Sequence, residues 1–483
     1  MMRRDAVIIG AGPAGMSAAI AMAEAGLKPT VIDENAQTGG QIYRQRPSTL
    51  NHRAAPSHNG VVADRGADLR RRFEALSDRI ELLCNRQVWG IFESNRLAVT
   101  AAHRWQMIEA EHLLLAPGAY EYVPPFPGWT LPGVLTPGAA QIMIKTQAVL
   151  PGQRVLVAGT GPFLLVVAAA LHEAGVNVLG VVEAVSRAEL LRCGWRLFAD
   201  LGLLREGGGY LRKLRRAGIP IYDGRIIVGA GGDGEVSHVK FAACDRSWRP
   251  KKNRSQVIEV DTLCVGYGFV PRTELAQLAG CQLRWSNELG GWIPLIDAEQ
   301  QTTVRGVWAA GDGAGVAGAL VAQEEGTLAG LAMARQLGAI DDDCFEARRR
   351  PVVRRLARLR RFRAALDSLS RIRVGLDELC TDETIVCRCE ELTRAEIDKG
   401  IDAGNNDLRS LKVATRLGMG PCQGRMCAPA MARHLAWRTD QAMDQSTPLQ
   451  VRPPIVPLTL GDLADPVSMD LPVQEQMLRE TIA

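Results

Sequence analysis

Four thiols in two close pairs are the side chains of this sequence best suited to chemistry. They are Cys387 and Cys389, then 32 residues, then Cys422 and Cys427. Two pairs of thiolates satisfy the four cysteine positions of a [2Fe–2S] cluster. The loop Gly418-Met419-Gly420-Pro421-Cys422-Gln423-Gly424 is glycine-rich. Such a backbone can approach closely and donate N–H groups to cluster sulfurs, which tunes potential. A structural zinc on the same thiolates is the main rival, although zinc sites usually take pairs about two to four residues apart. Unliganded thiols are the third reading. Cys380 lies nearby but outside the pattern.

A second chemistry lies at the N-terminus. Gly10-Ala11-Gly12-Pro13-Ala14-Gly15 follows an apolar strand and opens an alanine-rich helix, and the next strand ends in Asp33-Glu34. In this G-x-G-x-x-G context Gly10 permits the tight turn, Gly12 lets the backbone reach a pyrophosphate, and Gly15 allows close helix–strand packing. The pyrophosphate meets the helix N-terminus, where unpaired N–H groups favour anions. Asp33 or Glu34 would hydrogen-bond the adenosine ribose. Gly39-Gly40-Gln41 follows at once, and Gly311-Asp312 comes far downstream. A second glycine loop with Gly40 and Gln41, plus a returning carboxylate, suits the longer FAD better than NAD.

A similar unit begins at Arg154. It has a turn at Gly159-Thr160-Gly161 and a following strand that closes on Glu183, which could hold a ribose. Its third glycine position is Leu164, which changes packing where close approach is normally needed. NAD(P)H, a different adenine nucleotide and an empty fold stay open for this turn. Elsewhere the expected machinery is missing. No C-x-x-C occurs, and the seven histidines form no metal spacing or obvious dyad. No general acid or base stands out, which points to bond-breaking chemistry in another chain.

These residues need elements to hold them. Two βαβ starts predict an α/β protein with two doubly wound dinucleotide-binding domains and a small C-terminal cysteine domain. The first FAD-binding segment spans 1–122, and a proline-rich extended connector spans 123–150. The second dinucleotide-binding domain spans 151–270, and the FAD-binding domain returns over 271–340. Over 341–379 apolar residues recur in steps of three and four from Val352 to Ile372, which predicts an amphipathic helix. Nine of the sixteen residues Arg348 to Arg363 are arginine. That basic face is either solvated or docks an acidic partner or a phosphate. The cysteine domain spans 380–438, and a proline-rich tail over 439–483 should lie extended along a surface of this chain or a neighbour.

Composition bounds the rest. The chain has 483 residues, enough for roughly three domains. It is 47% hydrophobic and 23% charged, the balance of a packed globular protein rather than a disordered one. A net charge of +4 and 5% aromatic residues give no support for a nucleic-acid partner. The uncharged run Val155 to Leu171 is interrupted by Gly159, Gly161 and Pro162. It is also shorter than the roughly 20 apolar residues a membrane span needs. No transmembrane segment is therefore expected. Eleven cysteines, an odd number, fit a reducing compartment, and with no secretory signal the expected location is cytoplasmic.

The glycine turns and Gly311-Asp312 together resemble the two-dinucleotide-domain flavoproteins that include the disulfide reductases. That resemblance implies a flavin ribityl–phosphate contact for Asp312. The stretch Leu113-Leu114-Leu115-Ala116-Pro117-Gly118 resembles the family strand that ends in a threonine–glycine pair, with Pro117 in place of the threonine and Gly118 retained. The cysteine spacing resembles the ferredoxin domain associated with bacterioferritin. With Pro125-Phe126-Pro127-Gly128-Trp129-Thr130-Leu131-Pro132-Gly133-Val134, these features resemble the α (A) subunits of opine oxidases, the octopine/nopaline dehydrogenase type. Also similar are the α subunits of D-hydroxyproline and L-proline dehydrogenases, together with the hydrogen cyanide synthase middle subunit.

The resemblance implies an oxidoreductase acting on CH–NH donors. A catalytic FAD-containing β subunit would oxidise an amino or imino acid, while this chain transfers electrons through FAD and [2Fe–2S]. A small ferredoxin-like γ subunit is often present, and FMN can lie where α meets β in some relatives. The alternatives are a self-sufficient NAD(P)H-dependent FAD/[2Fe–2S] reductase and a non-catalytic scaffold.

Overall fold

The computed structural model describes residues 2–47, 61–101, 104–193 and 198–464. Ala6-Val7-Ile8-Ile9 is buried throughout, as befits a strand covered on both faces. Strand Met2–Ile9 pairs in parallel with Thr30–Ile32 on one side and Arg104–Leu115 on the other. Glu81–Leu83 extends the Thr30 edge. The first half of Arg104–Leu115 also pairs antiparallel with Arg96–Ala101, and its last three residues take Val307–Ala309 in parallel. That late strand delivers Gly311-Asp312 to the carboxyl ends of the sheet, beside the Gly10 turn. Ligands of open α/β sheets bind at such a position.

Helix Pro13–Glu24 packs on helix Ala319–Gln336 through small residues. A Cβ on Gly326 would strike the Ala14 carbonyl, and one on Gly330 would fall 2.5 Å from the Ala18 carbonyl oxygen. The second sheet is parallel throughout, in the order Ile221–Asp223, Asn177–Glu183, Arg154–Gly159, Thr262–Gly266, Val134–Leu135. A three-stranded antiparallel sheet of Arg225–Gly231, His238–Cys244 and Pro250–Glu259 shares its core. The ribbon of Ala119–Glu121 with Phe269–Pro271 marks where the chain leaves the first unit and returns.

Segment 123–150 is more than an extended connector. It supplies the edge strand Val134–Leu135, the helix Pro137–Ile142 capped by Thr136, and a π-helical turn Met143–Gln147. Phe126 and Trp129 are buried, and the Trp129 indole N–H donates to the Ile385 carbonyl at 2.6 Å. The tryptophan thus pins the cysteine domain to the second dinucleotide unit, with which it shares one core. Sequence reading missed this because the prolines mask a docking surface whose partner lies about 250 residues away.

The arginine-rich helix runs over Asp342–Ser370, with Asp341 accepting the Cys344 N–H at its start. Neither expected reading of its basic face describes it fully. Six of the nine arginines pair within the chain: Arg348 with Glu24, Arg349 with Glu346, Arg355 with Glu324, Arg358 with Asp200, Arg360 with Glu325 and Arg363 with Asp367. Individually such surface pairs contribute little, about 0–1 kcal/mol. Their geometry nevertheless sets how the helix lies on both dinucleotide units.

The cysteine domain is built from the ribbon Ile385–Cys387 with Leu392–Thr393 and from helices Arg394–Asp402, Leu408–Thr415 and Ala428–Arg438. Thr393 and Glu396 form a reciprocal capping box. The described part of the tail lies along the first sheet. Ile455 and Val456 are buried, the Ile455 N–H donates to the Trp89 carbonyl, and Trp105 donates to the Leu463 carbonyl. Pro466 and Pro472, and residues 465–483 generally, lie outside the described residues. The Val155–Leu171 run divides into strand Arg154–Gly159 and helix Phe163–Glu173. No helix among the described residues is long and apolar enough to cross a membrane.

Candidate functional site

Three backbones meet at the N-terminus of helix Pro13–Glu24. Gly10, at φ 106°, turns the chain out of its strand and donates to the Ile32 carbonyl at 2.8 Å. A Cβ on Gly15 would strike the Gly10 carbonyl, so only glycine permits this helix–strand contact. Gly40, at φ 60°, brings the second glycine loop so close that its Cβ would lie 2.8 Å from Gly12 Cα. Gly311, at φ 74°, places the third backbone where a Cβ would lie 2.8 Å from Ala14 Cβ. The helix has Gly12 as its N-cap, so among the described residues no side chain caps its first N–H groups. The result is a cradle lined by backbone, suited to a pyrophosphate.

The acids around this cradle have distinct positions. Asp33 is buried, accepting the Ala11 N–H at 2.6 Å and both the backbone and side-chain N–H of Asn35. It therefore holds the glycine turn from below. Glu34 is half-exposed and pairs with Arg272 at 3.1 Å. The Arg272 N–H in turn donates to the Gly118 carbonyl. Gln41 is exposed and accepts from Arg44. One Asp312 oxygen takes the Ala317 and Gly318 N–H groups at 3.0 and 2.9 Å, which leaves its other oxygen without a hydrogen bond among the described residues.

The second turn copies the clamp but not the cradle. Glu183 accepts the Gly161 and Val185 N–H groups at 3.1 and 3.0 Å, the counterpart of Asp33 beneath Ala11. Burial pushes its carboxyl up to about 7, against the pull of those N–H groups. Gly159 has φ 138°, and a Cβ there would strike the Gly266 carbonyl. Among the described residues no second glycine loop crosses Gly161. Its Cβ position faces Ser370 Oγ at 3.3 Å, the last residue of the arginine helix. Phe163 packs on Phe269 beside it, and Leu164 is buried.

The four pattern cysteines come together in two neighbouring pairs, Cys387 with Cys427 and Cys389 with Cys422. The Cys427 thiol and the N–H groups of Gly418, Glu390 and Cys389 hold Cys387 well below the usual thiol range, against burial. Its neighbour Cys427 is pushed up by Cys387 and by burial. A Cβ on Gly420 would collide with Cys389, so the glycine lets the loop lie against that side chain. Among the described residues no three His, Cys, Asp or Glu side chains converge into a metal-holding group. The two pairs also act on each other, Cys387 on Cys389 and Cys422 on Cys427. Cys380 lies apart, buried, with its thiol directed to the Pro125 carbonyl at 3.1 Å.

Other features went unnoticed in the sequence. The buried His434 contacts Asp398 at 2.6 Å, a histidine–acid pair that spacing alone did not reveal. Arg394 and Arg438 pair with the same aspartate, which ties it into the helix packing of the cysteine domain. Glu325 accepts the Gly311 N–H at 3.0 Å; its signal was an acid set between Ala322 and Leu328 on a small-residue helix face. A cavity of about 540 Å³ lies between the return segment and the cysteine domain, lined among others by Tyr120, Trp285, Trp292, Lys412 and Met419.

Comparison with known proteins places this geometry in a group. The pyridine nucleotide-disulphide oxidoreductase family matches residues 4–326, and the sarcosine oxidase A3 domain matches residues 381–466. The chain is 38% identical to the HcnB subunit of hydrogen cyanide synthase from Pseudomonas aeruginosa, over 87% of this chain and 90% of that one. It is 35% identical to the A subunit of opine oxidase from Agrobacterium tumefaciens, over 95% of this chain and 91% of that one. Among solved structures it is similar to L-proline dehydrogenase from P. horikoshii, with a TM-score of 0.68 and 22% identity. That match covers 96% of this chain and 80% of the other, and it speaks to the fold alone.

Proposed function

The chain belongs to the pyridine nucleotide-disulphide oxidoreductase family and, within it, to the group of opine oxidase A subunits; on that premise we propose that it is the electron-transfer α subunit of a hetero-oligomeric dehydrogenase. The donor would be an opine or a related amino or imino acid, oxidised at its CH–NH bond on a partner β subunit carrying its own FAD. The observation that carries this reading is the meeting of Gly12, Gly40 and Gly311 at one helix N-terminus, in a chain that also pairs four thiols.

Two sets of residues support the proposed cofactors. The first cradle suits FAD: the Gly12 and Gly40 backbones leave room for a pyrophosphate, Asp33 holds the turn, and Asp312 keeps one oxygen for the ligand. Cys387, Cys389, Cys422 and Cys427 suit [2Fe–2S], because four cysteines in two close pairs, with N–H groups aimed at Cys387, supply its donor set. When bound, a flavin takes up electrons in pairs while an iron–sulfur cluster carries one at a time. This chain's residues bind and orient those groups. FMN at the α–β contact and a small ferredoxin-like γ subunit are optional members of the proposed assembly.

The second reading, a self-sufficient NAD(P)H reductase, draws on Glu183 beneath Gly161. Against it, Ser370 stands where a dinucleotide would approach that turn. Expression with and without a candidate β subunit tests the two. The α chain should carry FAD, iron and sulfide, yet oxidise amino or imino acids only when β is present. Equal turnover by the α chain alone, or purified chain without flavin, would refute the subunit reading.

A further inference from the structure

The arginine helix touches the first cradle through a single buried acid. Glu325 is 6% exposed. One of its carboxylate oxygens takes the Gly311 N–H at 3.0 Å, and the other takes an Arg360 guanidinium N–H at 2.9 Å. Gly311 has φ 74° and opens the turn that carries Asp312. Asp312 secures the far end of the same turn through the Ala317 and Gly318 N–H groups. The turn is therefore held upstream by Glu325 and downstream by Asp312. The Glu325 hold depends on a charge supplied from another element.

We propose that Arg360 and Glu325 are positioning residues that set the Gly311-Asp312 turn against Ala14, in the first turn of helix Pro13–Glu24, and so determine how tightly the first cradle holds its dinucleotide. The inference rests on the reading that this cradle holds FAD. Physically, burial disfavours a charged Glu325, and Asp312 nearby adds repulsion. Arg360 works against both and favours the carboxylate, although burial still holds the group above its ordinary range; in the ionised form its bond to Gly311 is charge-assisted and about twice as strong as a neutral one. Without Arg360 the acid would take up a proton or turn away. Gly311, whose Cβ position already lies 2.8 Å from Ala14 Cβ, would lose the bond that fixes its peptide.

The test is FAD affinity of the full-length chain, stripped of flavin and reconstituted, with flavin fluorescence quenching as readout and far-UV circular dichroism as the fold check. Arg360→Leu and Glu325→Gln should each weaken FAD about tenfold, the scale of one charge-assisted hydrogen bond. The double variant should be no weaker than either single one, because both break one relay. Arg360→Lys should restore affinity to within about threefold. Arg354→Leu should leave it unchanged, since no ion pair of Arg354 occurs among the described residues. Affinities within twofold of wild type for both single variants, or losses that simply add, would overturn the relay. Failure of the wild-type chain to bind FAD would instead refute the functional reading on which it rests.

Discussion

The two glycine turns share their foundation and differ in their roof. In each, a strand ends in a turn, a carboxylate from the next strand clamps the turn from below, and a helix begins. Asp33 does this beneath Ala11 and Glu183 beneath Gly161. Above the first turn lie two further backbones, at Gly40 and Gly311, close to the small residues Gly12, Ala14 and Ala322. Above the second stands Ser370 at the end of the arginine helix. A glycine turn with its acid therefore marks a fold capable of binding a dinucleotide. Whether it is open to one depends on what the rest of the chain lays over it.

The largest effect should come from filling the first cradle. Gly12 has φ −78°, and an added Cβ would meet Gly40 Cα at an ordinary 3.7 Å. Gly12→Ala should therefore fold but occupy the space a pyrophosphate needs, lowering FAD affinity by about a thousandfold or more in a reconstitution assay. The matching Gly161→Ala, at φ 95°, should cost about 1–2 kcal/mol of stability and leave flavin content within twofold. Equal flavin loss in both variants would erase the distinction between the turns.

A smaller effect concerns Glu183. Its carboxyl is raised to about 7 in the folded chain, so the native state holds the proton more tightly than the unfolded one. Stability should then fall as pH rises from the unfolded value near 4.5 to about 7 and level off above it. Glu183→Gln removes this slope. The variant-minus-wild-type stability, from denaturation at pH 5 and pH 7.5, should rise by at most about 3 kcal/mol. A flat difference would show that burial does not govern this acid. Smaller still, Asp33→Asn should weaken FAD about tenfold, because one acceptor for the Ala11 and Asn35 donors loses its charge. Affinity within twofold of wild type would show that the turn keeps its shape without the charge.

Much of the fold was legible because it rests on local rules. Gly10, Gly12 and Gly15 sit between an apolar strand and an alanine-rich helix, and that order alone indicates a parallel α/β unit. The amphipathic spacing from Val352 onward indicated the long helix, observed as Asp342–Ser370. What escaped depends on contacts between residues far apart in the chain. Arg348 pairs with Glu24 and Arg360 with Glu325, so a run that reads as free charge is largely neutralised in place. Trp129 sits among prolines and glycines, and only its bond to the Ile385 carbonyl reveals a docking residue. Ser370 lies over two hundred positions beyond Gly161, so no spacing rule could show that it faces that turn.

The most direct test of the central claim is an anaerobic absorbance titration of the purified chain. NADH and NADPH are added first, then a β subunit with its amino or imino acid. We predict flavin bands and a broad [2Fe–2S] shoulder that neither nucleotide bleaches and that bleach once β and its substrate are present. Rapid bleaching by either nucleotide alone would contradict the account, because the second turn would then be an open entry for hydride.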